Sequence, residues 1–244
     1  MAENMSAYFA TRSTDLVEGA FLVEALPIFR YYWKYRFIAR LDFRIIVHVL
    51  NNELRAELIS MREEDLRVRQ ELLDAGQLGG SYVPRMEAVH VKNAARLRQR
   101  IAQYGWPGED IAGKDGAEAA WMVAQHAIGE PELQREVLQL LQECASAGRA
   151  PAWHAAYLED RIAMYEGRPQ RFGSQWVDDP RDGRIRPWKL LDPERVYGLR
   201  ASVGLGPLSP IPDQGPDLPD DQRRAIEENA RWWREWLASK GWPK

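Results

Sequence analysis

The fold this sequence predicts is an all-α antiparallel bundle or array of helices, with a short irregular or hairpin segment near residues 168–190. Three observations carry that prediction. Apolar residues recur at three-to-four spacing along most of the chain. Prolines stand where helix first turns belong and glycines just past helix ends, as with Pro131 and Gly148 or Pro151 and Gly167. The stretches between these segments are short, which makes successive helices pack as antiparallel neighbours. With 45% apolar and 28% charged residues in 244, the chain can bury a substantial core.

Taken in order, Thr14 or Asp15 caps a first helix to Ala25, and Pro27 interrupts it. Residues 28–51 are rich in aromatic and β-branched side chains. Strand and helix both fit this stretch; its basic residues, at 30, 34, 36, 40 and 44, mostly recur at helical spacing and favour a second helix, completing an aromatic-rich N-terminal extension over 1–50. A core domain spans 51–206. Its first helix runs from Glu53 to about Gly76 on Leu54, Leu58, Met61, Leu66, Leu72 and Leu73, and its second from about Arg85 to Tyr104, ended by Gly105-Trp106-Pro107. Asp115 caps the helix Ala117–Ala127; Pro131 and Pro151 open helices to about Ala147 and Glu166. Residues 168–190 carry the glycine, proline and alternation of a loop or hairpin, and a short helix follows from Asp192 to Val203. Five prolines make 207–219 a semi-rigid linker. Within 220–244 a final helix, about Asp220–Lys240, places Ile226, Ala230, Trp233 and Leu237 on one face and docks on its own body or on a partner.

Composition narrows the function classes. Thirty-three basic and 36 acidic residues are interspersed, with a net charge of -3, which argues against a nucleic-acid partner. The stretch 20–50 is broken by charges, so no apolar run approaches the ~20 residues of a membrane span. No basic start followed by an apolar run marks a leader, and cytoplasm is the expected location. Cys144 is the single cysteine, flanked by Leu140, Leu141 and Ala145, and reads as a buried structural thiol.

Three polar steps stand out. Gln125-His126 ends a helix that is apolar on nearly every side, where an amide and an imidazole need partners. Histidine also exchanges protons near neutral pH; the plainer reading is a core histidine held by a carbonyl or carboxylate. Asp160-Arg161 lies in a helix with Trp153, Tyr157, Leu158, Ile162 and Met164. Adjacent helical residues do not pair, so each needs a distant partner. Asp160 would orient His126 and Arg161 would hold an oxyanion, or both would belong to a salt-bridge network between helices. The loop Gln170–Gln175, with Gly173 and Ser174, offers uncharged donors and acceptors to a ligand, or is a surface turn. No nucleotide glycine loop and no Gly-x-Ser-x-Gly elbow occurs. His48, His90, His126 and His154 are scattered, so no metal and no other cofactor is expected, although three of them could converge in space.

The series Trp121…Gln125-His126, Leu158-Glu159-Asp160-Arg161 and Gly167–Gln175 resembles an uncharacterised bacterial family that carries Gln-His-Ala-Asp, Asp-Arg and Gly-x-x-Gln-x-Tyr-Gly-Thr-Gln motifs. The similarity extends from Arg62-Glu63-Glu64-Asp65 through Gly105-Trp106-Pro107 to Gly204-Leu205. Ile128, Phe172 and Ser174 depart from the family's Asp, Tyr and Thr. The resemblance implies an α-helical domain in which His126, Asp160, Arg161, Gln170 and Gln175 form one constellation.

These residues lead to a cofactor-independent acid–base enzyme acting on a small organic molecule by elimination, addition, cyclisation or hydrolysis, as in specialised-metabolite tailoring. His126, Asp160 and Arg161 would be catalytic, and Gln125, Gln170, Ser174, Gln175 and Trp121 would bind the ligand. The alternative is a non-catalytic module binding a small molecule or peptide. Either form would pair as a homodimer through the aromatic N-terminal or the Trp-rich C-terminal helix.

Overall fold

The computed structural model describes residues 50–78 and 81–243, so both helices expected in the N-terminal extension lie outside the described residues. The described residues form one compact unit. It is mostly helical, as the periodicity predicts: α1 (Asn52–Asp74), α2 (Pro84–Tyr104), α3 (Glu109–His126), α4 (Pro131–Ser146), α5 (Ala152–Tyr165), β1 (Trp176–Asp178), β2 (Ile185–Pro187), α6 (Val196–Ser202) and α7 (Asp220–Ser239).

Side-chain chemistry sets most of the ends. The Asn51 carboxamide accepts the Leu54 N–H at 2.9 Å and caps α1. Prolines open α2 and α4. Two boundaries differ from the sequence reading. α3 begins eight residues early, at Glu109, because Glu109 and Asp110 suit a helix N-terminus and Gly113, at φ 69°, lets the chain kink without stopping. Asp115 is therefore inside the helix and pairs with Arg55 of α1. The short helix after the hairpin starts late, at Val196, because Asp192 instead accepts the Arg195 N–H in a turn.

α3 is the central helix. It packs against α1, α2, α4 and α5, and Ala119, Ala120 and Ala124 are fully buried among the leucines Leu58, Leu97, Leu133, Leu141 and Leu158. Gly116 permits the closest approach of α1: a Cβ there would stand 3.2 Å from Arg55 Cγ and 3.4 Å from its Cα. α1 buries Leu54, Leu58, Met61, Asp65, Val68 and Leu72, whereas Leu66 and Leu73 are exposed. Trp121 and His154 stack in parallel at 4.8 Å, with Trp153 edge-on to His154 at 4.1 Å. Burial pushes His154 down to about 3, so it is neutral.

After α5 the chain is stapled by two buried side chains. Asp160 accepts the backbone N–H groups of Arg171, Phe172 and Ser174 at 2.7–3.1 Å. Gln170 donates to the Gln175 and Trp188 carbonyls and accepts the Gln175 N–H, tying the loop to the antiparallel β1–β2 hairpin. Gly173, at φ 66°, lies flat under Leu208, whose Cδ1 would be 2.8 Å from an added Cβ. The proline-rich segment is seated on the hairpin turn: Asp182 accepts the Gly215 N–H and Arg181 O accepts the Leu218 N–H, both at 2.7 Å. α7 then returns to the body. Leu237 is buried, the Trp242 indole donates to the Ile128 carbonyl at 2.8 Å, and Lys240 pairs with Glu87 at 2.7 Å.

Two outcomes follow. Asp160→Asn turns an amide N–H toward backbone donors and lowers stability by about 2–4 kcal/mol in chemical denaturation; a loss below 0.5 kcal/mol would contradict the staple. His154 has a lower proton affinity folded than unfolded, so the unfolded state binds the extra proton between pH 6.5 and about 3, and stability falls as pH falls through that window. His154→Phe removes this one proton, making the pH dependence shallower by about 1.4 kcal/mol per unit between pH 6 and 4.5.

Candidate functional site

The apolar stripe of α1 runs 54, 58, 61, 65, 68, 72, and its fourth member is Asp65. A carboxylate at a core position must meet donors, because burial without them costs several kcal/mol. Two helices supply them. His126, the last residue of α3, places Nδ1 2.7 Å from Asp65 Oδ2. His90, on the buried face of α2, places Nε2 3.1 Å from the same oxygen. That second distance suits an ion pair, yet the direction misses what a hydrogen bond requires, and both His90 Nε2 and Asp65 Oδ1 are buried without a hydrogen-bond partner among the described residues. Tyr82, in the α1–α2 connection, hydrogen-bonds His90 Nδ1 through its hydroxyl, which fixes the ring and keeps Nε2 turned to Asp65. The two imidazole rings lie 5.1 Å apart.

Electrostatics couples these groups. Burial would raise the Asp65 carboxyl, but the two imidazoles outweigh it and hold the group well below the usual carboxylate range. Burial lowers His90, against the pull of Asp65 and assisted by the charges of His126 and Arg161. Tyr82 and Tyr165 are raised by burial and remain neutral hydroxyls.

Around this cluster stand the ends of α3, α5 and α7. Arg161 donates Nη1 to the Gln125 carbonyl at 2.9 Å, and Gln134 donates to the same carbonyl at 3.2 Å. The Gln125 side chain is buried with neither amide atom partnered. The Arg161 charge also bears on the Tyr165 hydroxyl. Trp236 lies edge-on to Tyr82 at 4.8 Å, Trp233 packs on it at 5.6 Å, and Trp242 covers Tyr165 at 5.2 Å. His126 keeps 15% of its side chain exposed, against 2% for Asp65.

The expected constellation therefore divides. His126, Gln125 and Arg161 come together. Asp160 does not reach His126: its two oxygens serve the loop, and Asp65 takes the role expected of it. Gln170 and Gln175 bond within the loop, and Gln175 donates to the Ser174 hydroxyl. Trp121 is a core residue, buried against Trp153, His154 and Tyr157, with its N–H on the His154 carbonyl. The sequence reading gave no site role to Asp65, Tyr82 or His90. The signal available was a polar residue inside an apolar stripe, at 65 in α1 and at 90 among Met86, Val89, Ala94 and Leu97 in α2. Two surface grooves, about 540 Å³ between α1 and α2 and about 230 Å³ beside Phe172, do not include His126.

One carboxylate oxygen and two imidazole nitrogens lie within 4.8 Å of one another. Bonds of about 2.0–2.1 Å to a tetrahedral ion set donors about 3.3 Å apart, so to hold an ion the 2.7 Å contact of His126 Nδ1 with Asp65 would open and the wider-set atoms would draw together. The sequence reading expected no metal; two of its four scattered histidines converge here, on a carboxylate it did not single out.

No curated protein and no solved structure matches the chain. Residues 52–211 match a family of unknown function, DUF6624, and since that stretch takes in Asp65, His90, His126 and Arg161, the chain belongs to this family with the whole polar cluster inside the shared domain.

Proposed function

We propose that the domain is a metal-dependent enzyme acting on a small organic molecule, with Asp65, His90 and His126 as ligands to one divalent ion of the zinc, cobalt, manganese or ferrous class. The observation that carries this reading is the convergence of three ligand atoms, two of whose residues hold buried polar atoms that no hydrogen bond satisfies. Two imidazoles and a carboxylate suit those ions and leave further positions for water. Tyr82 on the far nitrogen of His90 is the kind of support that metal-bound imidazoles need. A bound ion would acidify water to near neutral pH, supplying hydroxide as nucleophile or base for hydrolysis, addition or elimination. The partial exposure of His126 marks the side from which water and substrate would enter.

A second reading keeps the centre free of metal. It is favoured by the 2.7 Å contact of His126 Nδ1 with Asp65, the length of an ordinary charge-assisted hydrogen bond. Asp65 would then fix the ring of His126 and leave Nε2 as the acid–base group of a cofactor-independent enzyme.

Titration of chelator-treated protein with Zn²⁺ or Co²⁺ separates the two. The metal reading expects one ion per chain and a melting temperature raised by about 5–10 °C at a hundredfold excess over Kd. Asp65→Asn, His90→Ala and His126→Ala each weaken binding at least about 100-fold, and Tyr82→Phe about 10-fold. Absence of binding, or affinity unchanged in Asp65→Asn, would overturn it in favour of the metal-free centre.

A further inference from the structure

We propose that the substrate of this centre carries a carboxylate or phosphate group, and that Arg161 is the residue that receives it. The inference rests on the metal reading above and deepens it by naming the substrate class.

Arg161 projects from α5 toward the end of α3, and no acidic group among the described residues lies within ion-pair distance of its guanidinium. Nη1 is held by the Gln125 carbonyl, one residue before the ligand His126, and Nε is buried with no hydrogen-bond partner. The carbonyl contact orients the planar fork without neutralising it. Its charge is felt at His90, Tyr82 and Tyr165, which places it beside the cluster. Nearby carboxylates are committed elsewhere: Glu87 pairs with Lys240, and Glu166 with Arg135 and Arg168. The buried Gln125 amide adds an unpartnered donor and acceptor from the residue whose carbonyl Arg161 grips.

Charge balance then points to the ligand. With a divalent ion in place, the single carboxylate of Asp65 faces an ion and a guanidinium, and the two tyrosines and two imidazoles are neutral. The site therefore holds a net charge of about +2 in a mostly buried setting, where uncompensated charge is expensive. A hydroxide on the ion together with a monoanionic substrate neutralises it, as does one phosphate dianion. An uncharged substrate leaves Arg161 unanswered. Guanidinium forks bind carboxylate and phosphate oxygens through paired, charge-assisted hydrogen bonds, so the oxyanion would anchor on Arg161 while the reacting atom reaches the ion-bound water.

The test uses the full chain loaded with Co²⁺, whose visible absorption reports on anions entering the metal site. Inorganic phosphate and acetate are titrated into wild type, Arg161→Gln and Arg161→Lys. The glutamine keeps a donor for the Gln125 carbonyl and removes the charge, and unchanged Co²⁺ affinity and melting temperature show that the site and fold persist. The expected result is saturable perturbation of the wild-type spectrum, weakened about 10- to 100-fold in Arg161→Gln and only a few-fold in Arg161→Lys. Tighter phosphate than acetate assigns a phosphorylated substrate class; the reverse assigns a carboxylate. Cobalt-loaded wild type that responds to neither anion, or Arg161→Gln that binds them as wild type does, overturns this inference and leaves the metal centre standing. Failure of Co²⁺ to bind removes both.

Discussion

A carboxylate at a core position of α1 is the constraint on which this arrangement depends. Asp65 occupies a place in the stripe where leucine, methionine and valine stand on either side, so its charge must be met from the neighbouring helices. α2 meets it with His90 and α3 with His126, and each requirement propagates outward. The His90 ring needs Tyr82 behind it; Tyr82 is in turn covered by Trp233 and Trp236 of α7. The end of α3 is held by Arg161 and Gln134 on the Gln125 carbonyl. A chain of contacts, polar from Asp65 to Tyr82 and aromatic from Tyr82 to α7, thus runs from the first helix to the last.

The polar steps within the matched stretch do two different jobs. The Gln-His step and the Arg of the Asp-Arg step face the cluster. The Asp of that step and the glutamine loop build a rigid corner that joins α5 to the hairpin. Neighbours in sequence separate this way because successive helical residues point about a hundred degrees apart. α7 and the residues after it lie outside the matched stretch yet pack on the cluster, Trp236 against Tyr82 and Trp242 against Tyr165.

Much of the fold was legible in the sequence and less of the site. Helices α1, α2, α4 and α5 begin and end close to where proline, glycine and apolar spacing put them, since those signals are local. α3 was harder, because Asp115 reads as a cap and instead lies inside a helix that kinks at Gly113. His126 could be singled out because an imidazole ending an apolar helix needs company. Its companion could not, because Asp65 is 61 positions away and is one of 36 acidic residues. Only the observation that 65 falls in phase with 54, 58, 61, 68 and 72 distinguishes it. Counting Leu66 and Leu73 into the stripe obscured that phase, and both are exposed. Asp160 was the more visible partner for His126 because its helix is apolar, but three backbone N–H groups of the following loop claim it first.

X-ray absorption at the metal edge of zinc- or cobalt-loaded protein tests the central claim most directly. Asp65, His90 and His126 as ligands predict nitrogen and oxygen donors at about 2.0–2.1 Å with the outer-shell scattering of two imidazole rings. A shell of oxygen donors alone, with no imidazole scattering, would contradict it.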